Sequence, residues 1–127
     1  MNLWYQGLTK PLFTPPAEYF PIAWGILYTL MGISFLIVIL SPKTKEKYYA
    51  INLFIIQLVL NLLWSYLFFD MQSINLALSD VSLLFIVLIP TIFFFFKISK
   101  IAGFLLIPYL LQVIFAIYLT TGLKILN

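Results

Sequence analysis

The segment WYQGLTKPLFTPPAEYFPIAWGILYTLMG, residues 4–32, decides the architecture of this chain, because a proline-rich stretch runs directly into a long apolar stretch. Four of the seven prolines lie within the first 24 residues. Since proline fixes φ and lacks an N–H donor, residues 1–20 are predicted to form a stiff extramembrane loop. Pro21 suits the first turn of a helix, where a missing N–H costs little, so the first helix is predicted to begin beside it.

The composition of the 127-residue chain indicates a membrane protein. Hydrophobic residues make up 64% and charged residues 9%, and a soluble domain of this size could not bury so much apolar surface. The sequence has no cysteine and no histidine, which excludes disulfides, thiolate chemistry and the usual general base. The positive charges are all lysine, and the net charge of +3 fits the orientation of a membrane protein better than nucleic-acid binding.

Four apolar runs follow the proline-rich loop, and each approaches the roughly 20 residues that a helix needs to cross the hydrocarbon core. The connections between them are short, which predicts antiparallel neighbours. We therefore predict one all-α membrane domain over residues 1–127, a polytopic bundle of four transmembrane helices. The predicted helices lie at about residues 22–40, 48–69, 76–96 and 101–123.

The lysines predict how the chain is oriented in the membrane. Two of the predicted loops share most of them: Lys43, Lys45, Lys47, Lys97 and Lys100. Because cytoplasmic loops are enriched in lysine, the first and third loops are predicted to be cytoplasmic, with both termini and the proline-rich loop on the opposite side. The chain is thus expected to be a multi-pass integral membrane protein, located in the cell membrane if its host is a bacterium.

The second apolar run carries an unusual set of polar residues. Gln57, Asn61 and Ser65 are spaced by four and share one helical face. Because unpaired amides are costly in hydrocarbon, this face is predicted to point into the bundle. Two uses remain open: hydrogen bonds between helices, for Asn52 and Gln57 in particular, or a pocket wall. An amide, a hydroxyl and the indole of Trp64 suit a flat heteroaromatic ligand, so a pocket wall is favoured for Asn61, Trp64 and Ser65.

The first and fourth runs carry matching faces. Trp24, Tyr28 and Gly32 share a helical face, and Gly32 is predicted to let a neighbouring helix or a ligand come close. In the fourth run Pro108 is predicted to kink the helix and to free a backbone carbonyl. The fourth run also contributes three candidates for the interior: Tyr109, Gln112 and Ala116.

Asp80 is the only acidic residue expected within the bilayer. Because it lies near the start of the third run, we predict an interfacial carboxylate at a helix start. With no histidine and no second buried acid, a proton-relay pair is not expected. A weak sterol-contact pattern, formed by Val113, Tyr118 and Lys124, adds a sterol-like molecule as an alternative ligand.

Three ordered blocks of this sequence resemble one known family. The blocks are residues 4–32, QLVLNLLWSYLFF at 57–69 and LLIPYLLQVIFAIYL at 105–119. The chain resembles the tryptophan-rich sensory protein and mitochondrial translocator protein family, also called the peripheral benzodiazepine receptor family. Members of that family bind porphyrins, haem and synthetic aromatic ligands in a pocket between helices, capped by the proline-rich loop.

The resemblance implies a pocket at Trp24, Asn61, Trp64, Ser65 and Ala116, under a loop cap. Together with the helical periodicity it yields one set of predicted ligand-binding residues: Tyr5, Thr14, Pro15, Trp24, Tyr28, Asn61, Trp64, Ser65, Phe68, Tyr109, Gln112 and Ala116. We predict no catalytic residue, no metal site, no required cofactor and no nucleic-acid partner. The expected partners are a porphyrin, haem or sterol-like molecule, the lipid bilayer and a second copy of the chain.

The sequence departs from the family pattern at several positions. The family usually has five helices, and the helix before the Trp4-Tyr5 string is not seen in this chain. Gln112 occupies a position where the family commonly has tryptophan, and Leu119-Thr120 replaces a Leu-Asn pair. The missing indole weakens one alternative function, a light-dependent porphyrin-degrading enzyme. A small dimeric four-helix transporter is the other alternative.

Overall fold

The computed structural model of this chain describes residues 7–10 and 19–126. Within these residues every regular element is helical. The elements are α1 (Tyr19–Ile39), α2 (Lys45–Ser65), a π-helical turn (Tyr66–Asp70), α3 (Ile74–Ile98), α4 (Lys100–Leu105) and α5 (Ile107–Leu126). The predicted cap residues Tyr5, Thr14 and Pro15 lie outside the described residues.

These elements form four rods in the described part of the chain that are long and apolar enough to cross a membrane. The first is α1, and the third is α3. The second combines α2 with the π-helical turn, and the fourth combines α4 with α5. The prediction of an all-α bundle with four transmembrane helices is therefore confirmed.

Polar caps set the starts of α2 and α3. The Thr44 hydroxyl accepts a hydrogen bond from the Lys47 backbone N–H at 3.2 Å, and the Ser73 hydroxyl accepts one from Leu76 N–H at 3.2 Å. A capping hydroxyl satisfies a donor that the first helical turn leaves free. The two helices consequently begin at Lys45 and Ile74, slightly before the apolar runs from which the sequence analysis placed them.

The fourth rod is broken at Leu106, close to the kink predicted at Pro108. Leu106 separates α4 from α5, and Pro108 occupies the first turn of α5, where no N–H is needed. Gly103 of α4 lies directly against the ring of Phe96 on α3, and an added Cβ would collide with that ring. Glycine thus allows α4 to pack closely against α3.

Packing is uneven around the bundle. Helices α2 and α3 form an extensively packed antiparallel pair, and α5 packs against α3. Helix α1 packs mainly against α4, less against α2 and least against α5. Its C-terminal half is held by the Ser34 hydroxyl, which donates to the Ala102 carbonyl at 2.7 Å, and by Phe35, stacked on Phe54 with ring centroids 4.6 Å apart. Its N-terminal half borders the site described below.

Two predictions about polar and small residues are wrong. Gly32 is exposed, and a Cβ built on it would meet no atom within 4 Å, so it does not permit a close approach inside the bundle. Asn52 is also exposed, and its side-chain amide donates to the Tyr48 carbonyl of its own helix at 2.9 Å. Local hydrogen bonding therefore satisfies this amide without a neighbouring helix.

The burial of Asp80 inside the bundle was not predicted, and its position at the membrane interface stays a prediction. Only 6% of its surface is exposed, because it is the seventh residue of α3 and shares the buried face of that helix with Ala77 and Leu84. Helical periodicity along α3, with Ala77 and Leu84 on the same face, could have predicted this burial.

Candidate functional site

A cavity of about 100 Å³ lies between α1, α2 and α5. Its wall consists mainly of aromatic side chains, together with an amide, a serine hydroxyl and one leucine: Trp24, Tyr28, Asn61, Trp64, Ser65, Phe68, Phe69 and Leu119. The cavity adjoins the N-terminal half of α1 and the C-terminal half of α2, which meet because the two helices are antiparallel. Aromatic and apolar walls with a few convergent polar groups are typical of small-molecule sites.

Helical spacing accounts for most of this wall. Trp24 and Tyr28 are one turn apart on α1, and Asn61 and Ser65 are one turn apart on α2. The π-helical turn then shifts the register at the end of α2, where Met71 N–H bonds to the Tyr66 carbonyl at 3.0 Å, five residues back. Such π turns are frequent at functional sites because they redirect the side chains that follow. Here the redirected side chains are Phe68 and Phe69.

A chain of hydrogen bonds joins three helices beside the cavity. The Tyr28 hydroxyl donates to Oδ1 of Asn61, which links α1 to α2. Asn61 Nδ2 donates to the Tyr109 hydroxyl at 2.9 Å, and that hydroxyl donates to Oε1 of Gln57 at 2.6 Å. Because Tyr109 is fully buried and both accepts and donates, its hydroxyl is the centre of the network. Buried networks of this kind rigidify the structure around them.

Two buried donors next to this network have no acceptor in the described part of the chain. They are the Trp64 indole N–H and the Gln57 side-chain Nε2. An unsatisfied buried donor costs roughly 1–3 kcal/mol. Since Trp64 lines the cavity, its N–H is the donor that a bound molecule could satisfy.

The aromatic rings form two groups around the cavity. On one side the Trp64 ring stacks on Phe68, with centroids 5.0 Å apart, and Phe69 meets Trp64 edge-on at 6.1 Å. On the other side the ring centroid of Trp24 lies 5.8 Å from that of Tyr28 and 6.3 Å from that of Tyr109, which it meets edge-on. Two indoles thus occur on facing helices, an arrangement suited to contact with a flat ring.

The structure places the predicted site residues in three groups. Six of them line the cavity: Trp24, Tyr28, Asn61, Trp64, Ser65 and Phe68. Three more, Tyr109, Gln112 and Ala116, are buried in α5 but are not part of the wall. The remaining three are the cap residues outside the described part of the chain. Contact of any of these residues with a ligand stays a prediction.

Ser65 differs from the other wall residues, because it is exposed rather than turned into the bundle. It therefore marks the open side of the cavity, and Tyr28, 39% exposed, lies on the same side. Sequence reasoning missed Phe69 and Leu119. Leu119 follows Ala116 by three positions and could have been found from helical periodicity, whereas Phe69 depends on the π-helical turn.

The polar groups of the cavity are an amide, hydroxyls and an indole, which hydrogen-bond but do not ligate metals well. Within residues 7–10 and 19–126, no three acidic side chains come together as metal ligands. The site can therefore hold a molecule by stacking, apolar contact and hydrogen bonds.

The four rods, with an aromatic cavity among three of them, define a polytopic α-helical membrane protein. A profile of the TspO/MBR family matches residues 1–126, and the chain belongs to this family.

Curated relatives agree with this assignment. The chain is 42% identical to the tryptophan-rich protein TspO of Chlorobaculum tepidum, over 98% of this chain and 79% of that protein. It is 40% identical to the tryptophan-rich protein TspO of Archaeoglobus fulgidus, over 100% of this chain and 82% of the relative. It is 35% identical to the translocator protein of Sus scrofa, over 89% of this chain and 68% of that protein. The chain is accordingly a multi-pass integral membrane protein.

Proposed function

We propose that this protein binds a flat aromatic ligand of the porphyrin class, such as a porphyrin or haem, within the membrane and serves in its sensing or translocation. One observation carries the proposal: indoles from two helices, Trp24 and Trp64, and the amide of Asn61 line one cavity. Indole and phenol rings contact a planar macrocycle through their faces and edges, and the amide orients its polar edge.

The polar groups of the site assign roles to individual residues. The Trp64 N–H has no acceptor in the described part of the protein, so it donates to an acceptor on the ligand. Asn61 is engaged with Tyr28 and Tyr109, and a ligand that displaces Tyr28 takes over the freed Oδ1. With no histidine or cysteine in the chain, the iron of a haem lacks the commonest axial ligands, and binding rests on the ring.

The size of the cavity implies that the ligand opens the site. At about 100 Å³ it is smaller than the roughly 300–1,000 Å³ of typical ligand pockets. Tyr28 and Ser65 lie on its open side, between α1 and α2, and the Tyr28–Asn61 hydrogen bond spans that side. Opening costs this bond, a net of about 0.5–1.5 kcal/mol, which contacts with the ligand can offset.

The names of relatives support a role in sensing or transport. The chain is 34% identical to the tryptophan-rich sensory protein of Cereibacter sphaeroides, over 85% of this chain. A sterol-like molecule is the competing ligand. The proposal includes a homodimer: Gly25 on the exposed side of α1 has open space around it, and small residues let transmembrane helices approach closely.

Quenching of tryptophan fluorescence by protoporphyrin IX, in detergent micelles, tests the proposal. Asn61→Ala is expected to weaken binding about tenfold, since it removes an interaction of roughly 1.4 kcal/mol. Asn52→Ala is the matched control, because it removes an exposed amide from the same helix, away from the cavity. Trp64→Phe, which keeps a ring but removes the N–H donor, is expected to weaken binding without affecting folding.

Each arm has an outcome that contradicts the proposal. Equal affinities for Asn61→Ala and Asn52→Ala would place the porphyrin elsewhere, and no quenching at all would remove the porphyrin class. A strong preference for iron over free-base porphyrin would contradict binding through the ring. Bleaching of the bound porphyrin under illumination would favour the enzyme alternative.

A further inference from the structure

Asp80 is the one buried acidic side chain in the described part of the chain, and the site above does not use it. It is 6% exposed, and neither of its carboxyl oxygens has a hydrogen-bond partner. Its neighbours on the buried face of α3 are Ala77, Val81 and Leu84, which offer no polar group. An acidic residue inside a membrane bundle is rare and usually functional.

Asp80 lies at the depth of the cavity. It follows Ile74, the first residue of α3, by six positions, and Trp64 precedes Asp70, the last residue of the π-helical turn, by six. Because α2 and α3 are antiparallel and closely packed, Asp80 and Trp64 lie on neighbouring helices, the same number of residues from the ends that the connection joins. Helix α5, which carries Tyr109 of the hydrogen-bond network, also packs against α3.

No charged group compensates Asp80 within residues 7–10 and 19–126. Helix α2 contributes the uncharged Gln57, Asn61 and Trp64 to the bundle interior, and α5 contributes the Tyr109 hydroxyl. The other charged groups on elements packed against α3 lie at the ends of the rods, where Asp70 and Lys100 are exposed and Glu46 and Lys47 are half-buried. An ionised carboxylate buried without a partner is strongly disfavoured, and such a group keeps its proton instead.

We propose that Asp80 is a proton-binding site inside the bundle and that a ligand in the cavity strengthens its hold on the proton. The few polar groups on the cavity wall can hold water, and an apolar ring in the cavity excludes it. The ligand thus makes the surroundings of Asp80 less polar, which favours the neutral carboxylic acid. By linkage, the proton and the ligand each increase the affinity for the other. The second half of this inference rests on the proposed function.

The sign of the effect follows directly. At any pH at which Asp80 of the ligand-free protein is partly ionised, binding of the ligand is accompanied by uptake of a proton. Affinity is therefore highest at low pH and falls as the pH rises, by about fivefold or more, the usual size of coupling between sites. Asp80→Asn, which is permanently neutral and of the same shape, should keep the high affinity at every pH.

The test uses the dimethyl ester of protoporphyrin IX, whose side chains do not ionise, and measures fluorescence quenching between about pH 5 and pH 8. The wild-type protein should lose affinity across this range, and Asp80→Asn should not. The matched control is Asp70→Asn, an exposed aspartate one loop away, which should retain the wild-type pH dependence. Equal pH dependence in wild type and Asp80→Asn would overturn the coupling.

A second measurement uses the ligand-free protein, and it does not depend on whether the Asp80→Asn variant folds. The sequence has only two aspartates, so carboxyl-¹³C-labelled aspartate yields two NMR signals in the ligand-free wild-type protein. Asp70→Asn identifies the Asp80 signal, which should lose its proton between about pH 5 and pH 8 and show a carboxylic acid at the low end of this range, where an ordinary aspartate is ionised. A carboxylate signal there would overturn the proton site. If that signal shows the acid but the ester does not bind, the proposed function and the coupling fail while the proton site stands.

Discussion

The two halves of α1 are held to the bundle in different ways. The C-terminal half packs through Phe35 and Phe54, and Ser34 bonds to the Ala102 carbonyl of α4. Its end is further held by Lys47, whose Nζ donates to the Ile39 carbonyl at 2.6 Å. The N-terminal half borders the cavity, and Tyr28 makes its hydrogen bond to α2.

This difference separates structural support from ligand binding within one helix. The closely packed C-terminal half of α1 can move only into an arrangement that packs equally well, because protein interiors are as densely packed as organic crystals. A hydrogen bond across a cavity can be exchanged for one to a ligand at little net cost. We therefore expect α1 to pivot from its packed end when the cavity opens, and variants at the two ends should behave differently.

The largest effect is expected at the centre of the polar network. Tyr109→Phe leaves Asn61 Nδ2 without its acceptor and Gln57 Oε1 without its donor, and each unpaired buried group costs roughly 1–3 kcal/mol. Thermal unfolding in micelles, followed by circular dichroism, should show the loss. Tyr66→Phe, which alters an exposed tyrosine, is the control. Similar unfolding of both variants would mean that the network does not stabilise the cavity end.

An intermediate effect is expected at the packed end. Gly103→Ala forces a methyl group against the Phe96 ring, and overpacking of this kind costs about 1–3 kcal/mol. Gly32→Ala is its counterpart on the exposed side of α1, where nothing lies within 4 Å, and should be neutral or slightly stabilising. The same unfolding assay compares them. Two equally harmless variants would argue against tight packing of α4 on α3.

The smallest effects on stability are expected at two single hydrogen bonds, one in each half of α1. Tyr28→Phe and Ser34→Ala each remove one hydrogen bond of α1, worth roughly 0.5–1.5 kcal/mol. Only Tyr28→Phe should change ligand binding, with protoporphyrin held roughly two- to tenfold tighter, because no bond has to be broken to open the site. Tighter binding by Ser34→Ala, or an unchanged affinity for Tyr28→Phe, would show that the Tyr28 bond does not close the cavity.

Much of the cavity could be anticipated from helical spacing. Trp24 and Tyr28 are four residues apart, as are Asn61 and Ser65, and this spacing alone brings the aromatic and polar side chains to shared helical faces. Phe69 was missed because a π-helical turn, which no spacing in the sequence announces, changes the register after Ser65. Gly32 was predicted to lie inside the bundle because it shares a helical face with Trp24 and Tyr28. That face borders the cavity at Trp24 and Tyr28 but is exposed at Gly32.

The amino-acid sequence is sufficient to predict that the protein lies in a lipid bilayer, that four of its helices can cross the bilayer, and which family it belongs to, because hydrophobic length and ordered motifs are properties of the chain alone. Which polar groups meet depends instead on how the helices are arranged in three dimensions. Tyr109 joined Asn61 and Gln57, and Asp80 was left without a hydrogen-bond partner, because partners depend on how separate helices are rotated against each other. Those rotations are set by packing across the bundle, which no single segment encodes.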